Sequence, residues 1–261
     1  MHNFFSSHYY FFSASLPHLV LGQKPEISFN DLMASLNLNL NQRDLKKIYS
    51  LRRIFDIYNI RSCLLEKEFD LKGNLSEKEL NQALLLQEEF PLYIFDFLDQ
   101  FKKFSEKMIF FSGLINLYFR EEALIQTGFL KQYFQFERTW RIVLMAIRAK
   151  QSKKKVLHGL KFEDPKDPLI LHLLAQESRP SYDPPIGYEE LKAKYLSCGP
   201  DPWQQNKIVA EWRLHQIEEL VQEPFFSIDW ILSYVAQLFI IEQWNEMNTL
   251  QGQTIVEAFL S

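Results

Sequence analysis

A chain of 261 residues that is 47% hydrophobic has enough apolar material for a large core, and its net charge of -4 lacks the cationic excess that draws phosphate backbones. This composition excludes a disordered chain and disfavours a dedicated nucleic-acid binder. Cys63 and Cys198 are too far apart and too isolated for a disulfide framework or a zinc motif, so a reducing compartment fits the chain best.

The first 23 residues carry no Asp, Glu, Lys or Arg. They lack the basic start of a secretory leader and are interrupted by His8, Pro17 and His18, so they read as part of the mature fold. Tyr9, Tyr10, Phe11 and Phe12 predict a short strand or a buried extended arm. Further on, Ser76 and Glu79 form a capping-box pattern that starts a helix with Leu80, Ala83 and Leu84 on one face. After Pro91, the series Ile94, Phe97, Leu98, Phe101 and Phe104 keeps a spacing of three and four and predicts one amphipathic helix with an aromatic stripe. Tyr133, Phe136, Trp140, Val143, Leu144 and Ile147 repeat that pattern.

Pro165, Pro168, Pro180, Pro184 and Pro185 then oppose a continuous helix and mark a connector over 161–185. Beyond it, Asp201 and Pro202 suit the cap and first turn of a helix with Ala210, Leu214, Ile217 and Val221 on its apolar face, broken by Pro224. Ser227 caps a last helix carrying Ile228, Ile231, Leu232, Val235, Leu238 and Phe239. The uncharged runs 108–119 and 230–241 are far shorter than the ~20 residues a membrane-spanning helix needs, and read as core.

Signals of chemistry are missing. The eight glycines are too scattered for G-x-G-x-x-G or a P-loop, which need several glycines so that backbone amides can approach phosphates. The histidines at 2, 8, 18, 158, 172 and 215 include no pair spaced to place two imidazoles on one helical face. No G-x-S-x-G elbow or thiol-enzyme signature surrounds a candidate nucleophile. Cys198 before Gly199-Pro200 suits a turn, and His172 and His215 suit core-edge or surface positions. The expectation is therefore no enzyme, no cofactor and no metal.

The most anomalous charge feature is 138–162, where Arg138, Arg141, Arg148, Lys150, Lys153, Lys154, Lys155 and Lys161 occur without one acidic residue. A solvated helix end is one reading, since cations there complement the helix dipole. A docking patch for an acidic protein surface, or for phosphates, is another, with Arg148, Lys153, Lys154 and Lys155 as the candidate interface residues. Glu211, Glu218, Glu219 and Glu223 on another helix offer internal neutralisation instead.

Three stretches carry a resemblance. They are Tyr9-Tyr10 with Ala14-Ser15-Leu16-Pro17, the helix with Trp140, Arg141, Leu144 and Arg148, and Phe225-Phe226-Ser227-Ile228-Asp229 running to Ile240-Ile241-Glu242-Gln243-Trp244. Together they resemble a family of helical proteins of chlamydiae and Bacteroidetes-like bacteria encoded within V-type ATPase operons, in the place of the funnel-like helical component of the stalk. The resemblance implies a non-catalytic part of the central stalk that joins the rotating shaft to the membrane rotor ring. It also implies a cytoplasmic protein peripheral to the cell membrane, touching the membrane only through the complex and binding no nucleic acid. A helical adaptor for polyanions and an enzyme with dispersed active residues are the rival readings.

The fold expected is all-α, a multi-helix bundle of two or three lobes with a short extended N-terminal segment. Residues 1–160 form the N-terminal lobe with its arm, 161–185 the proline-rich connector and 186–261 the C-terminal lobe.

Overall fold

A computed structural model describes residues 9–222 and 225–260. Among these the fold is all-α, with eleven α-helices, one 3₁₀ turn and no strand. The helices are α1 (Tyr10–Ser15), α2 (Phe29–Asn39), α3 (Gln42–Leu64), α4 (Glu77–Leu86), α5 (Leu92–Asp99), α6 (Phe104–Ile125), α7 (Gly128–Gln151), α8 (Pro168–Leu174), α9 (Glu189–Ser197), α10 (Pro202–Glu219) and α11 (Ile228–Leu260). The 3₁₀ turn is Val156–Leu160. Glu223 and Pro224 lie outside the described residues, as do His2 and His8. No helix of the described residues is long and apolar enough to cross a membrane.

Two compact units form, and they divide the chain differently from the expected lobes. The first joins residues 1–48, 128–130 and 193–261; the second holds 49–127 and 131–192. The proline-rich segment 161–185 lies inside the second unit, where Pro168 opens α8 and the Asp167 side chain accepts the Leu169 amide as its cap.

In the first unit, α10 and α11 pack together, and the N-terminal segment is tied to α11 by hydrogen bonds between residues far apart in sequence. Tyr234 Oη donates to the Pro17 carbonyl (2.9 Å), Asn245 Nδ2 to that of Gln23 (2.9 Å), and the Phe29 amide to Glu242 Oε1 (2.8 Å). The Phe29 ring lies 4.9 Å from that of Phe239. Asp201 caps α10 and Ser227 caps α11, as their sequences predict. Trp212 joins Ala210 and Ile217 in the core, while Leu214 is only half-buried.

The N-terminal aromatics do not form an extended arm. Tyr10 begins α1, in which Phe12 is buried and Phe11 is 94% exposed, because a one-turn helix on this segment can bury only one of its faces. Tyr9 holds it in place. Its amide donates to the Phe226 carbonyl (2.9 Å) and its hydroxyl to Asp44 Oδ2 (2.6 Å), where Asn41 Nδ2 (2.9 Å) and Lys47 Nζ (2.9 Å) also bind the carboxylate.

Burial works to raise the Asp44 carboxyl, but the bonds from Tyr9 and Lys47, with Asn41, outweigh it and hold it below its usual value. A carboxylate depressed on folding adds stability above its unfolded pKa, and that stability is lost as the pH falls through the folded pKa. Tyr9→Phe is therefore expected to cost about 1 kcal/mol at neutral pH, and progressively less as the pH drops below about 3.9. Denaturant melts of both proteins across that range measure the difference.

The second unit is built around aromatic residues. Phe134 is fully buried against Tyr118 and Tyr133, each with ring centroids 5.5 Å away, and Tyr118 donates its hydroxyl to the Ser50 carbonyl (2.7 Å). The capping box at Ser76 and Glu79 is present at the start of α4. The loop before it hangs on Asp56, whose carboxylate accepts the amides of Asn74 (2.6 Å) and Leu75 (3.1 Å) and the Asn74 side chain (2.7 Å). Burial nevertheless pushes the Asp56 carboxyl above its usual value. Gly73 is required here, since a Cβ would stand 2.7 Å from Asp56 Oδ1.

The single helix expected over 94–104 is broken in two. Phe101 lies in the break, buried against Phe97 (5.2 Å), Phe110 (5.3 Å) and Phe162 (5.9 Å), while Phe104 starts α6 half exposed. The chain turns because that ring cluster draws on three separate elements, which one continuous helix would hold apart.

Candidate interaction surface

Most of the basic run 138–162 is engaged inside the second unit. Arg138 pairs with Glu163 and with Asp167 (2.9 Å). Arg141 binds the Glu137 carboxylate and donates to the Glu137 carbonyl (2.7 Å), with its guanidinium 4.3 Å from the ring centroids of Phe119 and Trp140. Burial acts against both guanidiniums, yet the facing carboxylates outweigh it and hold both above their usual range. Lys150 Nζ donates to the carbonyls of Gln176 (2.9 Å), Glu177 (2.7 Å) and Arg179 (2.9 Å). Lys161 Nζ sits 3.9 Å above the centre of the Phe110 ring.

The run looks one-sided in sequence because its limits fall one residue short of Glu137 on one side and Glu163 on the other. Those neighbours supply the neutralisation.

The four candidate interface residues gather at the C-terminal end of α7, and all four are exposed. Lys153, Lys154 and Lys155 make no hydrogen bond or ion pair through their side chains among the described residues. Their backbone is held firmly. The Lys153 amide donates to the Lys150 carbonyl (3.1 Å), the Lys154 amide to that of Ala149 (2.8 Å), and the Val156 amide to Glu177 Oε1 (3.3 Å). The last helical carbonyls are thus satisfied by main-chain donors rather than by lysine side chains. Lys153 has φ +53°, in the left-handed region that favours glycine. Leu157, two residues past the lysines, is 57% exposed.

Such a turn attracts carboxylates or phosphates but supplies no nucleophile or base. Against an anionic lipid surface three lysines would contribute ~1 kcal/mol each, or ~3 kcal/mol together. That falls short of the ~4 kcal/mol of a millimolar complex.

Elsewhere the chemistry-bearing side chains have structural partners. His172 Nε2 lies 2.8 Å from the Asp183 carbonyl and from Gln176 Nε2. Cys63 and Cys198 are free thiols. No group of three His, Cys, Asp or Glu residues among those described is placed to hold a metal ion. Sequence reasoning missed a second surface feature, the exposed aromatics Tyr10, Phe11 and Phe225 in the first unit, where the Tyr10 and Phe226 rings are 4.3 Å apart. The paired aromatics at both ends were its only signal.

The family described as "Protein of unknown function (DUF2764)" matches residues 6–260. An uncharacterized protein of Chlamydia muridarum is 28% identical, with 95% of this chain and 96% of the relative covered. One of Chlamydia trachomatis is 29% identical, with 95% of each chain covered, and one of Chlamydia pneumoniae is 28% identical, with 95% and 96% covered. No solved structure matches.

Proposed function

The chain belongs to the DUF2764 family, and we propose that it is a non-catalytic subunit in the central stalk of a V-type ATPase or ATP synthase, joining the shaft to the membrane ring. The support for a non-catalytic role is the use made of buried charge. Arg53 with Glu122, Arg141 with Glu137, and Arg138 with Glu163 each join two side chains of the fold. The assignment to this particular machine rests on the resemblance of the Tyr9-Tyr10, Trp140 to Arg148 and Phe225 to Trp244 stretches. Its partners are then the shaft subunits and the rotor ring. Its place is the cytoplasmic face of the cell membrane, reached through the complex.

A subunit that carries torque should be dispensable for ATP hydrolysis by the catalytic head and indispensable for coupling. Reconstituted complexes with and without this chain are expected to hydrolyse ATP alike, while ion transport is lost without it. Paired ATPase and ion-flux measurements decide the matter. Normal coupled transport in its absence removes the stalk assignment, and loss of head hydrolysis points to a regulatory or catalytic role instead.

A further inference from the structure

We propose that the turn at residues 152–155 is a docking site for an acidic segment of a neighbouring subunit, with Leu157 as the apolar contact beside the lysines; this rests on the subunit reading above. Within one basic run, Arg138, Arg141, Lys150 and Lys161 have intramolecular roles, whereas Lys153, Lys154 and Lys155 stand exposed. The backbone that displays them is fixed by the bonds of Lys153, Lys154 and Val156 to the end of α7 and to Glu177, so a partner meets three cations already ordered.

Lys153 adds a second argument. A lysine at φ +53° carries a backbone cost that glycine would not, and among the described residues its ammonium makes no contact to offset it. Its charge gains a role only when something outside the chain meets it.

The chemistry favours carboxylates on a protein. Three lysines hold an anionic membrane too weakly to dock there. Stacking on a single-stranded nucleic acid needs exposed aromatic faces, and residues 152–157 contain none. The chain's charge of -4 also opposes a long polyanion more than a short acidic segment. Around an exposed leucine, rim cations select and orient an acidic partner.

The test uses the full-length protein. The variant Lys153→Glu, Lys154→Glu, Lys155→Glu is expected to bind about tenfold more weakly to a V-type complex purified from cells lacking this chain, with a reduced salt dependence. Lys153→Gly supplies the control for folding. Its melting temperature should hold or rise as the backbone relaxes, while its binding weakens. A photo-crosslinking residue at Leu157 should then mark a peptide rich in Asp and Glu, and changing those acids to lysine should restore binding of the triple variant.

Undiminished binding by the triple variant overturns the docking site and leaves the stalk reading standing. Crosslinks to lipid, to nucleic acid or to a peptide without carboxylates overturn it as well. An acidic, charge-swappable partner outside the V-type complex upholds the docking site and removes the stalk reading.

Discussion

Replacing Arg53 with methionine is expected to lower the unfolding free energy by about 3–5 kcal/mol at neutral pH, and replacing Arg53 and Glu122 together by methionine and leucine is expected to cost far less. Glu122 has no exposed side-chain surface, and its carboxylate is bound by Arg53 and by Gln126 Nε2 (3.0 Å). Burial acts against the Arg53 charge, but the Glu122 carboxylate outweighs it and holds the guanidinium above its usual range. Removing only the cation leaves a buried anion with one neutral donor. Removing both takes away the anion along with its need for a partner, and Gln126 keeps its bond to Ser50 Oγ (3.2 Å). Urea unfolding of the two variants separates these cases. Equal losses for the single and the double variant would mean that the pair is not what makes the single variant unstable.

Phe29→Ala should cost about as much, roughly 3–5 kcal/mol. The ring is 2% exposed and packs on Phe239, and the Phe29 amide is bound by Glu242, so α2 meets α11 at this residue through both ring and backbone. Truncation leaves a cavity beside Phe239 that the neighbouring helices cannot fully close. Phe11→Ala is the internal control: with 94% of the residue exposed it should change stability by no more than about 0.5 kcal/mol. The same denaturation experiment reads both. A small loss at Phe29 would show that the α2 contact with α11 is weaker than its burial implies.

Local signals carried far in this chain. The capping box at Ser76, the Asp201-Pro202 start of α10 and the Ser227 cap of α11 are written in adjacent residues, because a cap needs only a side chain and an amide three positions away. What could not be read depends on distant partners. The periodicity of Ile94, Phe97, Phe101 and Phe104 favours one helix, and only the closing of the Phe162 and Phe110 rings on Phe101 reveals the break. The division into units escapes the sequence for the same reason. Prolines between 161 and 185 signal a turn, but the bonds that join Pro17, Gln23 and Phe29 to α11 leave no local mark.

The candidate surface was half legible. Lys153, Lys154 and Lys155 stood out as a basic triplet, and the structure leaves them exposed. Arg138, Arg141, Lys150 and Lys161 looked alike in sequence. Their separation from the triplet depends on where Glu163, Glu137, the Gln176 carbonyl and the Phe110 ring come to rest.

The bonds between the N-terminal segment and α11 also bear on how the protein is made. On the ribosome, residues 9–48 emerge before any of the second unit, and the helix that receives them emerges last. At ~5–20 residues per second the wait lasts on the order of ten seconds or longer. Throughout it Phe12, Phe29, Leu32 and Leu36 have no finished core to enter. The second unit lacks only a short stretch of α7 and can close while the first waits. Nascent chains stalled before α11 should therefore show protease protection in the second unit and open sites between residues 9 and 48, and chaperones that hold apolar segments should be found on that stretch.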